Sequence, residues 1–100
     1  MTPLMIAARK NHDMVVRVLV GEGADINKIN RISGDTALHL AVMNNACDSM
    51  RILLKDPEID YDKKNPINLR TPMHVALLHE NLFAYRMLAA KQAEIETNTF

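Results

Sequence analysis

The sequence has a single cysteine, no tryptophan, no net charge and no long apolar run. Because Cys47 is alone, an internal disulfide is excluded, and a reducing compartment is the default for such a chain. The 12 basic and 12 acidic residues cancel. Nucleic-acid binders usually concentrate Lys and Arg in a basic patch. The composition therefore argues against nucleic acid as the main partner.

The apolar stretches are short. MVV at 14–16 and VLV at 18–20 are separated by Arg17, and both are far below the roughly 20 residues that a transmembrane helix needs. Met1 is followed at once by Thr2 and Pro3, so no signal peptide is expected. These features predict no membrane insertion and a cytoplasmic or nuclear location.

The sequence does contain one short pattern three times. TPLMIAA at 2–8, TALHLAV at 36–42 and TPMHVAL at 71–77 start 34 and 35 residues apart. Internal periods near this length are typical of stacked supersecondary units. The chain has 100 residues, of which 48% are hydrophobic. This is the size and composition of one folded domain, here made of three such units.

Each unit is predicted to begin with a short helix. Thr is a good N-cap, and Pro3 and Pro72 occupy the first helical position, where a missing N–H costs nothing. Asn11 and Asn45 stand where this helix should end, because Asn tolerates the left-handed conformation of a helix stop. A second apolar segment follows in each unit and predicts a second helix. Both helices are too short to persist alone, so stacking must stabilise them.

The second helix is expected to end in a different way in each unit. Gly23 ends the first with positive φ, Pro57 stops the second, and the third exit is expected in KQAEIE at 91–96, with Gln92 in place of Gly. The tract from each exit to the next Thr, such as 28–35, is rich in Asn, Ser and Gly. It is predicted to form a hairpin-like projecting turn.

Two helices, a projecting turn and the T-P-L-H-x-A pattern resemble the ankyrin repeat. The resemblance implies an all-α ankyrin-repeat solenoid of helix-turn-helix units with projecting β-hairpin-like turns, and repeats at approximately 2–35, 36–70 and 71–100. It also implies that the motif histidines bond to the backbone and to neighbouring motif segments. The residues to which it gives structural roles are Thr2, Pro3, Gly23, Thr36, His39, Thr71, Pro72 and His74.

The chain departs from the family pattern at Met5, where the family has His, at Ala37, where it has Pro, and at Leu69, where it has Gly. The stretches 23–42 and 65–77 are also similar to repeats of NF-κB inhibitors and of the ankyrin halves of NF-κB precursors. The outer faces of the first and last repeats are not polar, although a stack normally needs polar ends. We therefore expect either part of a longer repeat array or a small protein that borrows a neighbour to cover its ends; a monomer is the alternative to the longer array.

No catalytic, metal or cofactor site is expected. His74 and His79 have H-x₄-H spacing, but no Cys, Asp or other His lies near them in sequence to complete a tetrahedral site. Cys47 lies at the start of a predicted helix but would need a partner base to act as a nucleophile. Gly21 and Gly23 lack the third glycine and the preceding strand of a dinucleotide fingerprint.

The chain is predicted to bind a protein partner, because solenoids of paired helices present extended surfaces from repeat to repeat. The alternative is a regulatory or targeting domain of a larger enzyme, scaffold or channel. By resemblance, the contacts lie at the turn tips and on the exposed side of the first helix of each repeat. The expected partner-binding residues are Arg9, Lys10, Asn30, Arg31, Ile32, Asp35, Met43, Asn44, Lys64, Asn65, Ile67, Arg70, Leu78 and His79.

Overall fold

The computed structural model describes residues 1–97, so the end of the third expected repeat, 98–100, lies outside the described residues. This part of the chain contains six helices and no strand. The helices are α1 (Pro3–Arg9), α2 (Asp13–Gly21), α3 (Ala37–Met43), α4 (Cys47–Lys55), α5 (Pro72–Leu78) and α6 (Leu82–Thr97). The prediction of an all-α stack of helix pairs is confirmed.

The first helix of each pair starts at a threonine cap. The hydroxyl oxygens of Thr2, Thr36 and Thr71 accept hydrogen bonds from the N–H three residues ahead, at 3.2, 3.3 and 3.2 Å. Pro3 and Pro72 are the first residues of α1 and α5. These caps satisfy backbone donors that a helix start leaves free, and so they fix where each repeat begins.

The first helices also end in the same way. Asn11, Asn45 and Glu80 have φ values of 59°, 53° and 52°, so the chain reverses through a left-handed residue in all three repeats. Asn adopts this conformation readily, whereas Glu does so rarely. The predicted stops at Asn11 and Asn45 are confirmed, and Glu80 keeps the geometry without the favoured residue type.

The helices form two rows. α1, α3 and α5 pack side by side in the inner row, α2, α4 and α6 form the outer row, and each inner helix packs on the outer helix of its own repeat. The apolar core lies between the rows, where Leu38, Met50, Leu53 and Leu88 are at most 1% exposed. Fully burying a side chain of this size contributes roughly 1.5–3 kcal/mol. Contacts between repeats therefore hold helices that are too short to be stable alone.

The exit of the third repeat differs from the prediction. Gly23 has φ 90° after α2, and α4 ends before Pro57, but α6 runs through 91–96 to Thr97 instead of ending in KQAEIE. Gln92 is a good helix former and occupies the place of Gly23 and Pro57 in the earlier repeats. The helix continues because nothing in this stretch breaks it.

Candidate protein-binding surface

Two turns project from the ends of the inner helices, and they have the same internal structure. In the first, Asn30 N–H donates to the Asp35 carbonyl at 2.8 Å, and Gly34 N–H donates to the Asn30 carbonyl at 2.7 Å. In the second, the corresponding bonds join Asn65 to Arg70 and Leu69 to Asn65, again at 2.8 and 2.7 Å. The turns are hairpin-like, as predicted, although neither contains a β-strand.

The Asn65 side chain fastens the two turns together. Its amide nitrogen donates to the Ser33 carbonyl at 2.8 Å and to Asp35 Oδ1 at 2.9 Å, and its Oδ1 accepts from Ile67 N–H at 2.8 Å. Asn65 is fully buried and Asp35 is 8% exposed. Both were expected to touch a partner, but burial leaves their side chains almost no surface for it. They position the turns instead.

The tips of the turns are exposed. Ile32 is 91% exposed and Ile67 is 62% exposed, which is unusual for isoleucine. Arg31, Lys64 and Arg70 are also exposed. Asn30 is half-buried, and its Oδ1 accepts from Ile32 N–H at 2.8 Å within the turn. Of the expected turn residues, these six retain surface that a partner could contact.

The C-terminal ends of the inner helices carry the second part of the expected surface. Arg9 and Lys10, Met43 and Asn44, and Leu78 and His79 occupy equivalent places at the ends of α1, α3 and α5. All are exposed except Met43, which is half-buried. Since the three inner helices pack side by side, these pairs form one row across the stack.

His39 ties the second repeat to the turn before the third. Its Nδ1 accepts from Thr36 N–H at 3.2 Å and from the Thr36 hydroxyl at 2.7 Å, which leaves the proton on Nε2 to be donated to the Arg70 carbonyl at 2.9 Å. Burial lowers the pKa of His39 below its ordinary 6.5, against the opposing effects of the Arg70 carbonyl and the Asp35 charge. The ring is therefore neutral at pH 7.

The place of His39, three residues after the motif Thr, is occupied by Met5 in the first repeat and by His74 in the third. His74 bonds to the Thr of its own motif as His39 does, because its Nδ1 accepts from Thr71 N–H at 3.1 Å. Unlike His39, however, His74 is exposed. Met5 replaces His in the first repeat and is 1% exposed. His39 thus bonds to the residue directly before the neighbouring motif segment, as expected, whereas the bonds described for His74 join it to Thr71.

Three further asparagines bridge neighbouring repeats, and none of these bridges was predicted from the sequence. Asn27 Nδ2 donates to the Glu58 carbonyl at 2.7 Å while its Oδ1 accepts from Asp60 N–H at 2.8 Å. The other two bridges are Asn11 Oδ1 to Ser49 N–H at 3.1 Å and Asn81 Nδ2 to the Val42 carbonyl at 3.0 Å. An amide side chain can both donate and accept, so the abundance of Asn near the turns was the available signal.

No group of three or more potential metal ligands occurs among residues 1–97. His74 and His79 are both exposed at opposite ends of α5. Cys47 is half-buried, and its thiol lies 3.4 Å from Asn45 Oδ1. None of the described helices has the length and apolar character required to cross a membrane.

A family model for ankyrin repeats, in three copies, matches residues 4–99. The chain belongs to the ankyrin repeat family. Ankyrin repeat protein FPV031 of fowlpox virus (strain NVSL) is 48% identical over 54 residues, 54% of this chain and 16% of the viral protein. Alpha-latrocrustotoxin-Lt1a of Latrodectus tredecimguttatus is 32% identical over 94 residues, 94% of this chain and 6% of the toxin.

An ankyrin repeat protein of Rickettsia felis (strain ATCC VR-1525 / URRWXCal2) is 38% identical over 66 residues, 65% of this chain and 21% of that protein. The aligned segments thus span a fifth or less of the fowlpox and spider proteins and 21% of the rickettsial one. Ankyrin repeats generally act as protein–protein interaction modules and not as catalysts. The architecture described above is therefore that of an interaction domain.

Proposed function

We propose that this ankyrin domain binds a protein partner through its two turn tips and through the row of residues at the ends of its inner helices. The main support is Ile32, a 91% exposed isoleucine on a turn that is held in place by buried hydrogen bonds. Binding residues are often carried by loops that a rigid scaffold positions. A cytoplasmic or nuclear location is part of the proposal and depends on the single cysteine.

The proposal is tested by quantitative capture from a cell lysate with two variants of matched composition. The first, Arg31→Ala/Met43→Ala/Leu78→Ala, removes one Arg, one Met and one Leu from the proposed surface. The second, Arg17→Ala/Met14→Ala/Leu82→Ala, removes the same residue types from exposed places on the outer helices. Partners captured by the unchanged chain should be lost with the first variant and kept with the second.

Circular dichroism must show that both variants are folded. If the first variant captures the same partners as the unchanged chain, the proposed surface is wrong. If the second variant loses them instead, the outer helices form the binding surface.

A narrower proposal is a regulator of a transcription factor that resembles the NF-κB inhibitors. It depends on the motifs at 23–42 and 65–77 alone, and none of the three relatives above bears such a name. Direct binding of purified Rel-family dimers would test it, and absence of binding at micromolar concentration would contradict it.

The alternative, a regulatory or targeting repeat domain within a larger protein, is favoured by the outward face of the third repeat. Ala8, Val42 and Leu77 each lie six residues after the Thr of their repeat. Ala8 and Val42 are fully buried, but Leu77 is 59% exposed. A version extended by a fourth repeat should therefore melt at a higher temperature, and an unchanged melting temperature would contradict the longer array.

A further inference from the structure

The two turn tips display an isoleucine in the same way. Ile32 and Ile67 each lie four residues before the Thr of the next repeat. Each isoleucine lies two residues after an asparagine. The Oδ1 of that asparagine accepts from the isoleucine N–H at 2.8 Å and from the N–H of the following residue at 3.3 Å. A single exposed apolar residue needs no explanation. Two at the same place in identical turns form a pair of apolar contacts on one edge of the stack.

The pair is fixed before any partner arrives. The buried Asn65 amide joins the second turn to Ser33 and Asp35 of the first, and Asn27 joins the bases of the two turns through Glu58 and Asp60. A partner that binds both tips therefore loses little free energy in ordering them.

The turns themselves carry basic residues. The segments 27–34 and 63–71 contain five basic residues and no acidic one: Lys28, Arg31, Lys63, Lys64 and Arg70. Four acidic residues flank these segments. Asp25, Asp60 and Asp62 precede the turns in sequence, with Asp60 bonded to Asn27 at their base, and the Asp35 carboxylate accepts from the Asn65 amide. The net charge of zero does not show this distribution, because the eight other acidic residues lie on the outer helices, at their exits or in the α5–α6 link.

A groove lies beside the first tip. It has a volume of about 260 Å³, and its lining combines the apolar side chains of Met1, Ile29 and Ile32 with the basic side chains of Lys28 and Arg31. Its size suits one apolar side chain of a ligand, and the basic side chains can pair with carboxylates on either side of that side chain.

We propose that the turn-tip edge binds an acidic segment of a partner protein that carries apolar side chains, one of them seated in the groove beside Ile32. This inference depends on the proposed function and names the chemistry of its partner. A nucleic acid fits less well, because it would leave Ile32 and Ile67 against hydrated phosphates, and neither 27–34 nor 63–71 contains an aromatic residue on which a base could stack.

The test is selection from a displayed library of random 12-residue peptides on the folded chain. Enriched peptides should be acidic and should contain Leu, Ile, Phe or Met. An enriched peptide is then synthesised, and its affinity is measured by fluorescence anisotropy against three variants. Ile32→Ser/Ile67→Ser removes the apolar pair, Arg31→Glu/Lys64→Glu reverses charge at the tips, and Arg17→Glu/Lys55→Glu reverses two exposed charges on the outer helices.

The first two variants should each weaken binding at least tenfold, and the outer-helix control should change it less than threefold. Raising the salt concentration should weaken binding to the unchanged chain, because exposed charge pairs are screened. Neutral or basic enriched peptides, full binding by Ile32→Ser/Ile67→Ser, or no enrichment at all would overturn the inference. So would tighter binding of a 12-base-pair DNA duplex than of the peptide.

The outcomes also separate this inference from the proposed function. If peptide binding is lost with Met43→Ala/Leu78→Ala but not with the tip variants, the domain binds proteins through its inner helices and the acidic-segment inference is wrong. If lysate capture and peptide selection are both insensitive to either surface, both proposals fail.

Discussion

Replacing Gly34 with alanine is expected to destabilise the domain far more than replacing either of the other glycines. Gly34 has φ 80°, and a Cβ atom built on it would overlap the Asn65 side chain, at 2.8 Å from its Cγ. Left-handed backbone costs a residue with a Cβ roughly 1–2 kcal/mol. Displacing the Asn65 side chain should also break its hydrogen bonds to Ser33 and Asp35. Buried hydrogen bonds contribute about 1 kcal/mol each. We expect a total loss of about 3 kcal/mol, by summing these contributions.

The other two glycines are matched controls. Gly23 also has a left-handed φ, 90°, but no atom lies within 4 Å of a Cβ built there, so Gly23→Ala should cost only the backbone term. Gly21 is the last residue of α2, with neither a left-handed φ nor a close neighbour. Gly21→Ala should be neutral or stabilising by up to about 1 kcal/mol, because Ala is the better helix former.

Urea unfolding followed by circular dichroism measures all three free energies. For a domain of this size each 1 kcal/mol shifts the melting temperature by roughly 4–8 °C, so Gly34→Ala should melt well over 10 °C lower. The decisive comparison adds Asn65→Ala, which removes the overlapping side chain. In that background Gly34→Ala should cost no more than Gly23→Ala. Equal losses for Gly34→Ala and Gly23→Ala in the unchanged chain would refute the idea that Asn65 occupies the space above Gly34.

Three other predictions concern single side chains. The free energy of unfolding should fall as pH drops from 7.5 through 6.5 toward the lowered pKa of His39, because the unfolded histidine takes up a proton that the buried ring resists. His39 can contribute a slope of at most about 1.4 kcal/mol per pH unit. Urea titrations of His39→Gln at several pH values should lack this contribution. Asn27→Ala should lower the free energy of unfolding by about 1–2 kcal/mol, because the Glu58 carbonyl and the Asp60 N–H lose their partner. A loss of less than about 0.3 kcal/mol would mean that water replaces the amide. Leu69→Gly should raise the melting temperature, because Leu69 has φ 63° and is 65% exposed, so about 1 kcal/mol of backbone strain is relieved with little packing lost.

The helices could be predicted because their limits are local. A threonine followed by proline, an Asn at the stop and a Gly at the exit act within a few residues of one another. Where a local signal was absent, the prediction was wrong: Gln92 was expected near an exit, but it lies within α6. Glu80 and Leu69 show the opposite case, since the stack holds them in left-handed conformations that their own residue types disfavour.

The surface was harder to predict, because it depends on what the next repeat covers. Asn30 and Asn65 occupy equivalent places in turns that have the same backbone hydrogen bonds, so the local turn geometry does not distinguish them. Asn65 is buried because the first turn lies against it, whereas Asn30 has no earlier turn beside it among the described residues. Charge was misleading for a related reason: a net charge of zero says nothing about how the fold distributes it, and the basic residues at the tips are brought together by stacking.

Stability and the proposed binding surface therefore depend on the same asparagine. The apolar core holds the rows of helices together, but the orientation of the two tips is set by amide hydrogen bonds, chiefly those of Asn65. Hydrogen bonds are directional, while apolar contact is not. A stack held by its core alone would keep its helices and leave its turns free to move apart. The buried amides restrict the turns to one arrangement, which holds Ile32 and Ile67 at equivalent places on adjacent turns.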